Sequence, residues 1–425
     1  MRHSRYSLMA LPVMALSCAM LPPPAIAQDL AAAIADAQAN APALAEAQAG
    51  EAAASARLDR ARAEANPLVR LEGTAGIGRI DNGGFFGITA DNVNPLAAQA
   101  TAEMPLYTGG RIGSARDQAR GGAQVSRLQT EQVRLDVTVQ AVAAYAEVLT
   151  SRQVEQSQGR LVSELSEVER QAGLRFRAGE IARSDVAQAE ARRAEAEAGL
   201  AAAHGRRMSA EAAFERLTGK APGELAPFPA PPPAPPSLAF ALELAHANNP
   251  ALKQADTAVT IAEAGKRGAK AEGLPTVGAF AEAAHVRDQF FPGYKADSVA
   301  VGVRGRWTLF SGGRTAAQVR EADAGVAMAE ARSRQARLSL DGLVIDAWHG
   351  LETANRMIAA SEARVAAANE ALRGTRLEAQ VGAKPTLAVL DAEREATEAQ
   401  AALLEASGRR HVAAWRLNAL TGFEQ

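Results

Sequence analysis

The side chains that could carry catalysis do not converge in this sequence. His204, His285, His349 and His411 are scattered and share no spacing that would hold a metal ion. There is no Walker-type phosphate loop, no His-Glu-x-x-His and no Gly-x-Ser-x-Gly. The single cysteine, Cys18, lies near the start of the chain, so a thiol nucleophile is absent from the rest of it. Carboxylates are plentiful, but they alternate with arginines on Ala-rich segments, the pattern of solvated helix faces rather than of acid-base pairs. With 46 Lys and Arg against 48 Asp and Glu, the net charge of −2 gives no basic footprint for nucleic acid. These residues predict neither an enzyme nor a cofactor site. The chemistry they offer is that of surfaces, and it depends on the elements that carry them.

The first of those elements is an export signal. Arg2, His3 and Arg5 precede an uncharged stretch that ends in Ala25-Ile26-Ala27, which predicts a secretory signal over residues 1–27 cleaved before Gln28. Cys18 raises a lipoprotein alternative with an acylated N-terminus, although Ala15-Leu16-Ser17 fits such a processing site poorly. No charge-free run of membrane-spanning length follows, so any crossing in the mature chain must use strands.

The remainder is a tandem repeat. Asn40-Ala41-Pro42-Ala43-Leu44 returns as Asn248-Asn249-Pro250-Ala251-Leu252, and Leu106-Tyr107-Thr108-Gly109-Gly110-Arg111 returns as Leu309-Phe310-Ser311-Gly312-Gly313-Arg314. Leu217-Thr218-Gly219 returns as Leu420-Thr421-Gly422. The boundaries are 28–220 for the first helix-hairpin-helix unit and 238–425 for the second. Between them residues 221–237, rich in proline, predict an extended linker.

Each unit holds one hairpin of period-two segments, predicted as strands at about 67–80 and 94–107, then 275–288 and 298–310. Val69, Leu71 and Ala75 alternate with Arg70, Glu72 and Thr74. The apolar parity is kept by Val277, Ala279, Ala281 and Ala283, and by Val299, Val301, Val303, Trp307 and Leu309. Phe85, Phe86, Phe290, Phe291 and Tyr294 in the loops, with Tyr107, Trp307 and Phe310 at the other ends, suggest interfacial aromatic girdles. The rest reads as helix. Leu128, Leu135, Val142 and Leu149, and Leu351, Ile358, Val365 and Leu372, recur every seventh residue as coiled-coil seams. Arg111 to Ala178 contains no proline and predicts a helix of roughly 100 Å at 1.5 Å per residue, matched by Arg314 to Val381.

Four membrane strands cannot close a barrel, because outer-membrane barrels begin at about eight, so the chain must associate if its hairpins lie in lipid. The signal, the duplicated halves, the two Gly-Gly-Arg turns and the Leu-Thr-Gly ends, taken in this order, resemble the TolC or outer-membrane efflux protein family across the mature chain. The resemblance implies a mainly α fold with membrane β: a homotrimer sharing a 12-stranded β-barrel and an α-helical barrel. It also implies an outer-membrane channel-tunnel that exports cargo in a tripartite efflux or type I secretion system. Its partners would be a periplasmic adaptor protein, an inner-membrane transporter of ABC or RND type, and outer-membrane lipid. The competing reading is a periplasmic coiled-coil scaffold or adaptor without a pore. An adaptor would carry a compact β-rich domain, whereas this chain has two equivalent hairpins.

The resemblance also assigns residues. The helix-helix turns at Gly179 and Gly382 correspond to the periplasmic entrance, Asp185 to an acid that bonds a basic residue on the neighbouring coil, and Lys384 to that base. Asp391 matches one acid of a cation-selecting ring. Ala388 stands where a second acid is typical, and Ala379 where the closing network usually has a tyrosine. From the residues alone, Asp185 reads equally as a helix cap, and Asp391 with Glu393 and Arg394 as a solvated face. Gly109, Gly110 and Arg111, and Gly312, Gly313 and Arg314, mark the strand-to-helix turns.

Overall fold

The computed structural model describes residues 28–81 and 91–423. The expected signal with Cys18, and the loop residues Phe85 and Phe86, lie outside them. The first half runs α1 (Leu30–Asn40), α2 (Pro42–Ala63), β1 (Leu68–Ala75), β2 (Gly78–Ile80), β3 (Asp91–Val93), β4 (Leu96–Tyr107), α3 (Arg111–Arg177) and α4 (Arg183–Thr218). The second runs α5 (Leu238–Asn248), α6 (Pro250–Ala271), β5 (Thr276–Arg287), β6 (Lys295–Arg306), α7 (Arg314–Gln380) and α8 (Thr386–Thr421). None of the described helices is long and apolar enough to cross a membrane.

The two long helices, α3 and α7, have 67 residues each, about 100 Å at 1.5 Å per residue. Their seams are buried at Leu128, Val142, Leu351 and Ile358 and half-buried at Leu135, Leu149, Val365 and Leu372. Against α3, the return helix α4 buries Ala189, Ala196, Ala203 and Ala210, one every seventh residue. A methyl at each of these positions lets the two backbones approach closely, so the pair packs as a narrow two-helix wall.

The leading helical segment of each half is broken, which the periodicity did not predict. Pro42 and Pro250 occupy the first turns of α2 and α6, where the missing N–H costs nothing. The breaks bring the repeated motifs together. Asn40 Nδ2 donates to Leu217 O at 3.2 Å, Asn248 Nδ2 to Thr421 O at 3.1 Å and Asn249 Nδ2 to Leu420 O at 3.2 Å. These amides satisfy carbonyls left free where α4 and α8 end in left-handed Gly219 and Gly422. Each return helix therefore finishes against the start of α2 or α6, and these pack along the long helices toward the sheet.

The proline-rich linker is extended and tied down. Gln28 N–H donates to Glu224 O (2.8 Å) and Ala226 N–H to Gln28 O (3.0 Å). The Tyr145 hydroxyl lies 2.6 Å from Ala226 O and 3.0 Å from Gln28 O. Burial, and then the Asp29 carboxylate, push its pKa up to about 12, so it remains a donor. Arg152 donates to Pro222 O and Gly223 O, and Phe228 stacks on His411 with ring centroids 4.1 Å apart.

The strands form one antiparallel sheet in the order β1-β4-β5-β6, with β2 and β3 pairing apart from it. The expected strand at 67–80 is in fact split after Ala75. The next partner in register, Pro95, has no N–H to continue the ladder, and only Gly76 N–H to Pro95 O (2.9 Å) is made. The expected strand at 298–310 instead starts at Lys295 and stops at Arg306. Trp307, Leu309 and Phe310 lie beyond it, where the Trp307 indole donates to Gly273 O (3.2 Å) as the chain turns toward α7.

That turn and its counterpart use two consecutive left-handed glycines, Gly109 and Gly110 (φ 60° and 94°) and Gly312 and Gly313 (φ 61° and 85°). Arg111 N–H closes the first onto Thr108 O and Arg314 N–H the second onto Ser311 O. Equal backbone strain but unequal space makes a test. A Cβ on Gly109 would stand 2.6 Å from Leu274 Cβ, whereas one on Gly312 meets nothing within 4 Å. Gly312→Ala should cost about 1 kcal/mol of stability, the left-handed penalty alone, and Gly109→Ala clearly more. Denaturation of the two variants in detergent checks the order.

Candidate functional site: the exposed sheet and the hairpin tips

Two ends of the molecule carry features that packing does not explain. At one end, register sorts the strands into two faces. Val69, Ala102, Ala281 and Val301 form one cross-strand row, and Leu71, Ala100, Ala283 and Val299 the next. Val69, Leu71, Val299 and Val301 are each 74–80% exposed, so a continuous apolar face covers no part of the protein. The opposite face carries Arg70, Thr101 and Glu282 in one row and Glu72, Gln99, Ala284 and Ser298 in another. On it Arg304 lies over the Phe280 ring at 4.5 Å and 3.8 Å from Glu103. Strands of 12 residues span about 40 Å, enough to cross a hydrocarbon layer when tilted. Exposed Tyr107 and Trp307 lie at the helix side of this band. In the opposite loop Phe290 and Phe291 pack edge-on against Tyr294 at 5.2 and 5.0 Å.

At the other end, α3 and α7 reverse into α4 and α8. Gly179 and Gly382 adopt φ of 76° and 75°. Glu180 N–H reaches back to Arg175 O and Gly179 N–H to Phe176 O, and Ala383 to Glu378 O with Gly382 to Ala379 O in the second tip. Both are Schellman caps, the closure that a left-handed glycine allows. Each tip also holds its own ion pair, Arg175 with Glu180 at 3.2 Å and Lys384 with Glu378 at 2.7 Å. Asp185 accepts Ala182 N–H at 3.3 Å, a helix-capping bond. Asp185 and Lys384 do not pair with each other within the chain, yet both line one cavity of about 400 Å³ between the tips, with Arg175, Gln188 and Ala379.

Above the tips, the four helices of the two coils are joined by charge. Arg192 on α4 stands 3.0 Å from Asp391 on α8 and 2.8 Å from Glu195. Asp391 is thus ion-paired across the two coils, with its side chain still 42% exposed. Beside it Glu393 is only 5% exposed and takes both the Nε and an Nη of Arg376 on α7. Arg376 also stands 3.6 Å from Glu164 on α3. Burial, and then the hydrogen bond to Glu164, raise the Glu393 pKa to about 7 against the pull of Arg376. Sequence reasoning missed Arg192, Glu164 and Arg376, and grouped Glu393 with exposed charges. The available signal was its spacing of three from buried Leu390, which places it on the apolar stripe of α8.

Among the described residues no group of His, Cys, Asp and Glu could hold a metal ion. The geometry is that of a long helical wall with a bare apolar sheet at one end and charged reversals at the other. Known proteins of this shape agree. The chain is 33% identical over 299 residues to the outer membrane efflux protein BepC of Brucella suis, a match covering 69% of this chain and 65% of that relative. Its fold is similar to the Vibrio cholerae outer membrane protein VceC, with a TM-score of 0.77 at 20% identity over 92% of this chain and 96% of that one. It is similar also to the Campylobacter jejuni CmeC outer membrane channel, with a TM-score of 0.80 at 13% identity, covering 92% and 85% of the two chains. The sequence model described as outer membrane efflux protein matches residues 33–220 and 241–423, and the chain belongs to that family.

Proposed function

We propose that this chain is one subunit of an outer-membrane channel-tunnel that exports cargo from the periplasm, or from an inner-membrane transporter, to the exterior. The observation that carries the reading is the bare apolar face of a four-stranded sheet, set at the end of helices about 100 Å long. Such a face belongs against lipid, and such a length suits a periplasmic span. The edge strands β1 and β6 have no partner beyond the sheet among the described residues. Three copies joined edge to edge would give twelve strands and close the barrel, with the polar face inside. The helices support the same assembly, since Met328, Leu338, Leu343 and Met357 are exposed on α7. In a homotrimer α7 would meet the next subunit. An adaptor and an inner-membrane transporter of ABC or RND type would complete a tripartite efflux or type I secretion machine.

The tips form the periplasmic entrance in this reading. Asp185 and Lys384 face one cavity, and Lys384 can exchange Glu378 for an acid on a neighbouring coil. Exposed pairs contribute only about 0–1 kcal/mol each, so their effect rests on repetition around the ring. Asp391 supplies one acid per subunit to the lumen, with Arg192 as its counter-charge.

Three measurements test these points. The exported protein should run in detergent with the mass of a trimer and conduct ions in planar bilayers. A detergent-independent, non-conducting species would instead support the coiled-coil scaffold. Asp185→Asn or Lys384→Ala should raise single-channel conductance, and identical conductance removes these residues from closure. Under a salt gradient Arg192→Gln should shift the reversal potential toward cation selectivity by freeing Asp391. The double variant with Asp391→Asn should lose that shift, and a potential unmoved by Arg192→Gln places the pair outside the ion path.

A further inference from the structure

Glu164, Arg376 and Glu393 come from α3, α7 and α8, so they sit where the first coil of the protomer meets the second. Two carboxylates share one guanidinium, and one of them is almost wholly enclosed. The remaining charges nearby are engaged elsewhere. On α4, Arg192 pairs with Glu195 and Asp391, and on α8 Arg394 pairs with Glu398. Among the described residues, Glu164 and Arg376 are the only charged groups that act on Glu393, beside its burial.

We propose that this triad is a proton-operated latch between the two coiled coils of each subunit, engaged when Glu393 carries a proton and released when it loses it. With the proton present, the neutral Glu393 carboxyl donates to the Glu164 carboxylate, Arg376 balances the one remaining negative charge, and α8 stays against α3. Without it, two carboxylates confront a single guanidinium, and one of them, Glu393, is almost wholly enclosed while Glu164 and Arg376 stay about half exposed. Drawing α8 away from α3 then hydrates Glu393, the acid that packing encloses.

The sign follows from the two states of the contact. With the coils packed, the Glu393 pKa is about 7; with them apart and the acid in water it returns toward 4.5. Between these values the packed arrangement binds more protons, so acid favours it. Its advantage is complete below about 4.5, is lost as pH rises through about 7, and changes no further above that. Periplasmic pH follows the medium through the porous outer membrane, so the latch would read external acidity and restrain the tunnel when the surroundings turn acidic.

The latch bears on the channel reading above, and the experiment separates the two. Spin labels at Ser163→Cys on α3 and Ala396→Cys on α8 would report the distance between coils in the detergent-solubilised protein. Single-channel recording would report the entrance. The parent should show a longer distance and an open probability at least about tenfold higher at pH 8 than at pH 5.5. Glu393→Gln, which stays neutral and keeps a donor, should hold the short distance and low open probability at both. Glu164→Gln should shift the response to lower pH, because Glu393 would then face Arg376 alone. A distance that is the same at both pH values in the parent overturns the latch. A pH-dependent distance in a protein that never conducts keeps the latch and discards the channel.

Discussion

Backbone N–H and C=O groups along the free sides of β1 and β6 are the constraint from which the rest of the molecule follows. In water an exposed strand edge is a tolerable liability, but in hydrocarbon each unsatisfied group costs several kcal/mol. The apolar row of Leu71, Ala100, Ala283 and Val299 suits a site in lipid, and the edges forbid that site to a lone chain. Association is therefore a condition for using the sheet at all. In the proposed barrel the polar face, with Arg304 between Phe280 and Glu103, would lie inside.

A second economy lies in the helices. One 67-residue helix per half sets the length, while its partner is made of two shorter pieces laid end to end. The joint is where Asn40 meets Leu217 and where Asn248 and Asn249 meet Thr421 and Leu420. Amide side chains there take up carbonyls that a continuous helix would satisfy internally. A wall built this way can change direction at the joint without breaking the long helix beside it, and the linker is bound near that level by Tyr145 and Arg152.

Much of this was written in the sequence. The ends of α3 and α7 fall within a residue of expectation because Gly-Gly precedes each and a left-handed glycine follows. The two faces of the sheet keep the parity read from Val69, Ala281 and Val301. Other features were hidden for physical reasons. The Asn-Pro motifs were visible as repeats, but their function as joints needs the distant Leu-Thr-Gly ends. Pro95 was visible too, yet its effect falls on the partner strand after Ala75. For Asp185 and Lys384, one-dimensional position cannot choose among neighbouring acids, bases and free amides. Glu393 was obscure because a charge on a charged helix reads as solvated, and only packing against α3 and α7 encloses it.

The short parallel pairing of Gln28 with the linker has a consequence for biogenesis. Gln28 is fixed on both its N–H and its carbonyl by residues 224 and 226, which emerge from the translocation apparatus long after it. The Gln28 pairing therefore forms only after those residues are made, while α1 itself packs on α3 and α4. Contacts this distant in sequence slow folding, because a large loop must close before they form. A chain truncated before residue 224 would lack the partner of its own beginning.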